Sequence, residues 1–294
     1  MTGTVDNGGK LVGYVCASSF VCIWSGFIVA SRFGAVGGMT APDLTGLRFL
    51  VAGLATLPFI WVWWPRQLKL WQILALAFCG PGAVYSFAMY AGLSQAPAAY
   101  AGVFANGTIP IFTALTAFLI LRHRLRISGY ISLAVILTGC AVLAITSAPV
   151  AGGNVMLGAA FFVLASAVLS VYSVLSQKWQ VAPKQALVTI NLPNMFFFLP
   201  FWYFFLPSSL GDATAGELVF QGLFQGLGPG FIAIILFTTA ILRLGSTVAS
   251  GFTASVPAVA TLLAIPVLDE VPSLIEWAGV AIVTGGLALL IWRS

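Results

Sequence analysis

Ten apolar runs, each about as long as a lipid bilayer is thick, fill almost the whole of this sequence. A helix needs about 20 consecutive, mostly apolar residues to cross the hydrocarbon core of a bilayer. The runs are continuous and do not alternate between apolar and polar residues, so they do not fit the strands of a membrane β-barrel. The sequence therefore predicts an all-α integral membrane protein with ten transmembrane helices. The predicted helices lie at approximately 11–33, 43–64, 70–93, 98–121, 127–146, 154–178, 184–206, 217–242, 246–268 and 273–292.

Charged residues are too rare for a soluble protein. They make up 6% of the 294 residues, against roughly 25% in soluble domains, and the loops, about ten residues at most, leave no room for a soluble domain. The net charge of +5 comes from cations that occur singly or in short loops, without a basic stripe that could bind nucleic acid. The expected partners are the lipid bilayer and a small-molecule substrate, with no nucleic acid, and a monomer is expected.

Lysine and arginine are distributed unevenly between the two sides of the predicted bundle. If the N-terminus is inside, the cytoplasmic segments carry ten of these cations, the outer loops carry Arg32, and Arg48 lies just inside the second helix. Cytoplasmic loops of membrane proteins are enriched in Lys and Arg, so the pattern predicts an N-in, C-in topology. The ten predicted cytoplasmic cations are Lys10, Arg66, Lys69, Arg122, Arg124, Arg126, Lys178, Lys184, Arg243 and Arg293.

The two halves of the chain repeat the same glycine and proline pattern. The segment Gly80-Pro81-Gly82 returns 148 residues later as Gly228-Pro229-Gly230, and Pro110 returns 147 residues later as Pro257. Each half holds five predicted helices, and because five is odd the second half must enter the membrane in the opposite direction. This arrangement is an inverted-topology repeat, which many secondary transporters use. The predicted halves are residues 1–150 and 151–294, which together form one membrane domain.

All four of these prolines lie near the middle of the membrane when depth is counted at ~1.5 Å per residue. A proline inside a helix removes one N–H and clashes with the carbonyl four residues back. Irregular backbone at this depth occurs only where protein buries it or where it lines a cavity. One interpretation is a layer of hinges whose released carbonyls face a central cavity; the other is simple kinking that lets ten helices pack. The released carbonyls belong to Asn106, Gln225 and Thr253.

Small polar residues form one stripe on helix 1 and another on helix 6. Spacings of three and four residues place each set on one helix face, where the serines either line a cavity or pack helix against helix. Trp24 and Tyr172 lie one residue from the stripes, near mid-membrane, and are candidate cavity walls. The stripes are Ser18, Cys22 and Ser25 on helix 1, and Ser166, Ser170, Ser173 and Gln177 on helix 6.

Helices 3 and 4 add further candidates. Tyr85 follows the first Gly-Pro-Gly segment by one turn, and Tyr100 and Phe104 precede Asn106. Asn106 is the only amide or charged residue in the middle of helices 1 to 5, and it either binds substrate or makes a hydrogen bond to another helix. The predicted substrate-binding residues are Trp24, Ser25, Tyr85, Tyr100, Phe104, Asn106, Tyr172, Ser173 and Thr253, and the predicted hinges are Gly80, Pro81, Gly82, Pro110, Gly228, Pro229, Gly230 and Pro257.

Arg48 lies about one turn inside helix 2. An ionisable residue within a membrane is a functional candidate, but this side chain is also expected to extend outward or to pair with Asp43. No Asp, Glu, Lys or His lies near the predicted midplane, and there is no metal-binding, nucleotide-binding or nucleophile motif. We therefore predict no catalytic residue, no metal and no cofactor.

The repeat pattern resembles the drug/metabolite transporter superfamily, in its EamA-like branch. The resemblance covers nearly the whole chain and is strongest in the stretch from Pro257 to Gly286, where Glu270 closes helix 9 and Gly279 spaces helix 10. Trp24 and Arg48 also fall where that family often has these residue types. Within the branch, the chain is most similar to bacterial YddG-type exporters. The resemblance implies a transporter in the bacterial inner membrane that exports aromatic and other neutral amino acids or similar metabolites.

Such a substrate suggests a binding mode. Its ammonium would meet the proline-released carbonyls near Asn106 and Thr253, its carboxylate would meet N–H groups at the glycine breaks, and its side chain would lie among the aromatic candidates. Alternating access would come from rocking of the helix bundles around this midplane site. The alternatives are efflux of neutral or weakly cationic drugs and, with little support, a membrane-embedded enzyme.

Overall fold

The computed structural model describes residues 7–122, 127–145 and 153–292, and within these ranges all regular structure is helical. Three of the ten predicted cytoplasmic cations, Arg124, Arg126 and Arg293, lie outside the described residues.

The described residues contain ten apolar helical segments that follow one another in sequence. Among the described residues, eight of them are long and apolar enough to cross a membrane, and the fifth and tenth are apolar but shorter. The chain is therefore an all-α, multi-pass membrane protein. The segments are α1 (Asn7–Val36), α2 (Ala41–Trp63), α3 (Leu70–Gln95), α4 (Ala98–Leu121), α5 (Ile127–Ile145), α6 (Val155–Lys178), α7 (Pro183–Phe205), α8 (Ala215–Leu244), α9 (Ser246–Leu268) and α10 (Leu274–Trp292).

Many polar side chains are buried inside the bundle, while many large apolar ones are exposed on its surface. The outer face of α7 exposes four phenylalanines and a tyrosine to more than half of their area, while Arg48, Asn106 and Asn191 have no exposed area. This distribution reverses that of a soluble protein and fits a bundle surrounded by lipid. The exposed aromatic residues of α7 are Phe196, Phe197, Tyr203, Phe204 and Phe205.

Helices α5 and α10 pack against each other through glycines. A Cβ on Gly139 would lie 2.9 Å from the backbone nitrogen of Val283, and one on Gly286 would lie 3.1 Å from the nitrogen of Ile136. Small residues let membrane helices approach closely, where dispersion and weak polar contacts replace the missing hydrophobic effect. The glycine spacing that the sequence shows in the tenth helix therefore serves helix packing.

The two Gly-Pro-Gly segments have different local structures. In α3 the helix stops at Cys79 and restarts at Ala83, whereas α8 passes through a π-helical turn over Gly228–Ile232 without interruption. Both forms disturb the regular hydrogen bonding at the predicted positions, but only the first is a complete break. A π-helical turn in an α-helix is frequently found at a functional site.

Pro110 and Pro257 each stand in the first turn of a new helical segment. Pro110 follows a π-helical turn over Ala101–Gly107, and Pro257 follows a 3₁₀ turn over Thr253–Ser255. The first turn of a helix has no partners for its N–H groups, so a proline there loses no hydrogen bond. The prediction that these prolines interrupt helices is correct in position, but the irregular turn lies before each proline.

Helices α4 and α9 end in the same way. Each is followed by a residue in the left-handed region, Arg122 with φ of 57° and Asp269 with φ of 54°, and these positions are 147 residues apart. The two helices also meet at their irregular turns, where a Cβ on Gly102 would lie 2.7 Å from the Cα of Pro257. The close approach leaves room for hydrogen alone on this face of Gly102.

Candidate functional site

All nine predicted substrate-binding residues are buried, with at most 9% of any of them exposed. None of them faces the surrounding lipid. The structure divides most of them between two clusters, one among α1, α3, α6 and α8 and the other where α4 crosses α9.

The first cluster surrounds a small cavity between Trp24 and Tyr172. Pro81 and Thr238 also line this cavity, and the Tyr172 hydroxyl lies 2.9 Å from the Thr238 hydroxyl. Tyr85 packs against Trp24 with ring centroids 5.7 Å apart. The cavity volume is about 10 Å³, which is room for about one water molecule. The structure thus shows the predicted aromatic walls in a closed arrangement.

The second cluster consists of Tyr100, Phe104, Asn106 and Thr253. The Tyr100 and Phe104 rings stack with centroids 6.2 Å apart, and the Thr253 hydroxyl donates to the Asn106 carbonyl at 3.2 Å. The Thr253 carbonyl accepts from the N–H of Val256. The prediction of a released, open acceptor is therefore wrong for the Thr253 carbonyl. The Asn106 carbonyl has only a shared donor, because the single hydroxyl hydrogen of Thr253 lies closer to the Ser250 carbonyl, at 2.6 Å. The Asn106 side-chain oxygen is buried and has no hydrogen-bond partner among the described residues.

Helix α6 connects the two clusters through its serine stripe. Ser166 accepts from the Thr108 hydroxyl at 2.8 Å, and Ser170 donates to the carbonyl of Ile109 at 3.0 Å. These bonds fix α6 to α4, as expected for helix packing through small polar residues. Ser25 and Ser173 instead donate to carbonyls of their own helices, at 2.8 and 2.9 Å.

Arg48 lies inside the bundle, between the two Gly-Pro-Gly segments. It has no exposed area, and its Nη2 donates to the carbonyls of Pro81 and Pro229 at 3.3 and 3.4 Å. Asp43 accepts instead from the indole nitrogen of Trp202 at 3.0 Å and from Ser209. The expectation that Arg48 extends outward or pairs with Asp43 is therefore wrong.

Two asparagines of α7, which the sequence reasoning missed, bind the helix breaks. Asn194 accepts from the N–H of Ala83 at 2.8 Å and donates to the carbonyl of Ala77 at 3.2 Å, which satisfies both sides of the break in α3. Asn191 donates to the carbonyl of Gly230 at 3.0 Å. The signal was available in the sequence, because two amides three residues apart are unusual in the middle of an apolar run.

This bonding also changes the predicted place of a substrate carboxylate. The N–H of Ala83, at the start of the second part of α3, already has an acceptor in Asn194. The glycine break therefore offers less free donor capacity than the sequence suggested.

Two glutamines of α8 form a further buried network that the sequence reasoning did not include as side chains. Gln225 donates to the Ser31 hydroxyl at 3.1 Å and accepts from the Tyr90 hydroxyl at 3.3 Å. Gln221 donates to the carbonyl of Ala30 at 2.8 Å. The network holds α8 against α1 and α3 beside the candidate site.

We expect Asn194→Leu to destabilise the protein by about 1–3 kcal/mol, because it leaves the N–H of Ala83 and the carbonyl of Ala77 buried and without partners. Thermal unfolding in detergent measures the effect. The matched control is Gln67→Leu, which removes an exposed hydrogen bond to Gln185 and should change stability by less than about 0.5 kcal/mol. Equal melting temperatures for the two variants would contradict the role of Asn194.

One ion pair within the described residues ties together the ends of several helices. Arg32 Nε lies 2.8 Å from Glu270 Oε1, and Arg32 Nη1 also donates to the carbonyl of Leu93 at 2.6 Å. The second oxygen of Glu270 accepts from the N–H of Ala98 at 2.9 Å. The pair thus joins α1 to the end of α3, the start of α4 and the loop after α9.

An apolar groove of about 470 Å³ lies between α3, α6 and α7. It is lined almost entirely by apolar side chains, several of them well exposed, such as Phe78 and Phe197. The groove opens on the outside of the bundle, so we do not assign it to a polar solute. Within the described residues, no group of three or more His, Cys, Asp or Glu side chains could hold a metal ion.

Comparison with known proteins identifies the same family twice in the chain. Residues 11–145 and 156–292 each match the EamA-like transporter family. A solved structure titled "Crystal structure of protein" is similar in fold, with a TM-score of 0.69, 22% sequence identity and 97% of each chain covered. None of the curated proteins shows a significant sequence match to the chain.

Proposed function

The chain belongs to the EamA-like transporter family, and from this premise we propose that it exports amino acids, aromatic and other neutral ones, or similar small metabolites across the bacterial inner membrane. The family makes it a membrane transporter of small solutes, and the substrate class is our proposal. The observation that carries it is the buried cavity between Trp24 and Tyr172, which has aromatic walls and lies beside the break in α3. This is a suitable place for an amphipathic molecule with an apolar side chain.

The proposed topology has ten spanning helices, N-in and C-in, in two inverted halves at residues 1–150 and 151–294. Three observations support the repeat: the family domain is present twice, the irregular turns of α4 and α9 coincide, and both helices are followed by a left-handed residue. The resemblance to YddG-type exporters supports the proposed substrate class, aromatic and other neutral amino acids. A monomer suffices for this arrangement.

Transport would proceed by alternating access, and the structure resembles a state closed at both ends. In the proposed orientation, Arg32 and Glu270 close the outer side. On the inner side, Gln177 accepts from the N–H of Ser246 at 3.0 Å, and Gln67 donates to Gln185 at 2.7 Å. The central cavity is too small for an amino acid, so substrate enters only after the helices part at one end.

The alternative function is efflux of neutral or weakly cationic drugs, and the surroundings of Arg48 disfavour the cationic ones. The buried guanidinium of Arg48 contacts the backbone of both Gly-Pro-Gly segments beside the cavity, and its charge repels a cation in a medium of low dielectric constant. A neutral or zwitterionic solute avoids this cost.

Counterflow uptake of labelled amino acids into proteoliposomes tests the proposal. We expect uptake above that of empty vesicles for at least one aromatic or aliphatic amino acid. Trp24→Ala should lower it by at least about tenfold, because the loss of a buried aromatic contact is worth about 1.5–3 kcal/mol. If none of the tested amino acids is taken up above the level of empty vesicles, the proposed function is wrong.

The matched control is Trp61→Ala. Trp61 is 82% exposed and lies on the outside of the bundle, so its loss should leave counterflow within about twofold of the wild type. An equal decrease for both variants would show that Trp24 acts through general stability and not through the site.

A further inference from the structure

Arg48 is a buried cation without a counter-ion. Its side chain has no exposed area, and the one ion pair in the described ranges joins Arg32 to Glu270. A buried charge that lacks a partner is strongly unfavourable, and a charge within a membrane usually marks a functional site. The three aromatic rings around the guanidinium offset part of this cost. Its Cζ lies 5.3 Å from the ring centre of Phe27, 5.8 Å from that of Phe49 and 6.0 Å from that of Trp24.

The hydrogen-bond donors around Arg48 are incompletely used. Its Nε and Nη1 have no partner in the described structure. Within the same described residues, the Trp24 indole nitrogen and the Tyr85 hydroxyl are paired at most with each other. The two bonds that Arg48 does make, at 3.3 and 3.4 Å, are longer than a typical N–H···O bond of 2.7–3.2 Å. Buried donors without partners are rare in native proteins and require an explanation.

The kind of ligand that is missing follows from these groups. Arginine and the indole of tryptophan can only donate hydrogen bonds, so the ligand must supply acceptor oxygens. It must also carry negative charge to balance the guanidinium. A carboxylate carries one such charge, whereas a phosphate group carries nearly two and would leave an uncompensated negative charge among aromatic rings.

We propose that Arg48, with Trp24 and Tyr85, forms an anion site that binds the carboxylate of the transported solute. This proposal rests on the proposed function and narrows it, because it makes a carboxylate a required part of the substrate. The side chain of the solute would then lie toward the cavity between Trp24 and Tyr172. Pro81, whose carbonyl binds Arg48, also lines that cavity. Binding would therefore be coupled directly to the two Gly-Pro-Gly segments.

Measurements of ligand binding to the protein in detergent test the site. Tryptophan fluorescence and thermal unfolding report the binding. The probes are L-phenylalanine, 3-phenylpropanoate, which keeps the carboxylate, and 2-phenylethylamine, which keeps the ammonium; L-alanine, propanoate and ethylamine form an aliphatic set. We expect the wild type to bind the carboxylates of at least one set and to prefer them to the amine. Arg48→Gln should weaken carboxylate binding by about 10- to 100-fold and leave amine binding within about threefold.

Two further variants separate binding from a purely structural role. Arg48→Lys keeps the charge and should retain the preference for carboxylates. Arg66→Gln makes the same change as Arg48→Gln at an exposed loop position and should leave all affinities unchanged. If Arg48→Gln does not fold, the proposal is still tested by whether the wild type and Arg48→Lys both prefer carboxylates to amines.

The proposal is overturned if the wild type prefers 2-phenylethylamine and ethylamine to the carboxylates, if it binds no carboxylate of either set, or if Arg48→Gln weakens carboxylate and amine equally. Carboxylate binding together with a complete lack of counterflow would remove the proposed function and leave the anion site. Counterflow without any Arg48-dependent preference for carboxylates would remove the anion site and leave the proposed function.

Discussion

Gly102→Ala is expected to destabilise the protein by about 3 kcal/mol and to lower transport by at least about tenfold. The added Cβ would lie 2.7 Å from the Cα of Pro257, and backbone cannot move aside as the end of a flexible side chain can. Overpacking of a tight interior typically costs 1–3 kcal/mol, and occasionally more. The contact lies where α4 crosses α9, so the change must push these helices apart.

The matched control for Gly102→Ala is Gly285→Ala in α10. Apart from the neighbouring residues and backbone of its own helix, no atom of the described residues lies within 4 Å of the position that a Cβ on Gly285 would take. This residue is also exposed on the bundle surface. Because alanine favours helix more than glycine does, stability should be unchanged or higher by up to about 1 kcal/mol. Melting temperatures in detergent and counterflow rates compare the two variants. If Gly102→Ala melts within about 2 °C of Gly285→Ala, the crossing is looser than the structure shows.

Glu270→Gln is expected to open the outer end of the transporter. It removes the charge that pairs with Arg32 and weakens the contacts that join α1 to α3 and α4. The pair is partly exposed, with 9% and 23% of the two side chains accessible. We therefore expect its loss to shift the equilibrium between the closed and the open outer end by about 1.4 kcal/mol, or tenfold. A shift of this size should be visible as increased access to buried positions of α1.

Cysteine labelling measures this shift. The probe is Ala30→Cys, a position 7% exposed and two residues from Arg32, in a background in which Cys16, Cys22, Cys79 and Cys140 are replaced. A membrane-impermeant maleimide added from outside should label it about ten times faster when Glu270→Gln is present. Glu276→Gln is the control, because Glu276 caps its own helix through Ser273, and its hydrogen bonds within the described residues stay at that cap. Unchanged labelling would exclude an outer gate, and faster labelling from the inside alone would contradict the proposed orientation.

The positions of the helices and of their irregular turns could be predicted from the sequence, because bilayer thickness and proline chemistry are local constraints. The form of each irregular turn could not. The same Gly-Pro-Gly sequence gives a break in α3 and a π-helical turn in α8. The difference lies in α7, since Asn194 bonds both sides of the break in α3, whereas Asn191 binds a single carbonyl of the turn in α8, that of Gly230, and the hydroxyl of Thr56 in α2.

The contacts within the candidate site could likewise be predicted from the sequence only in part. Trp24, Asn106 and Tyr172 are buried in the structure, but depth in an apolar helix alone does not tell a side chain that faces the protein from one that faces lipid. The partner of Arg48 could not be predicted, because Pro81 and Pro229 are 33 and 181 residues away along the chain. Only the packing of three helices around one guanidinium shows that its neighbours are carbonyls and aromatic rings. No acid in the described part of the chain pairs with it.

The bond between the Thr253 hydroxyl and the Asn106 carbonyl joins two residues that are 147 positions apart, which is the spacing of the repeat itself. Each residue is therefore the counterpart of the other, and the bond lies close to the symmetry axis of the proposed inverted repeat. If the two halves exchange conformations during transport, a contact on the axis is carried onto itself, whereas a contact such as Arg32–Glu270 must break on one side of the membrane. We expect the crossing of α4 and α9 to be the pivot of the motion. The two helices should keep their contact there while the two ends of the protein open and close in turn.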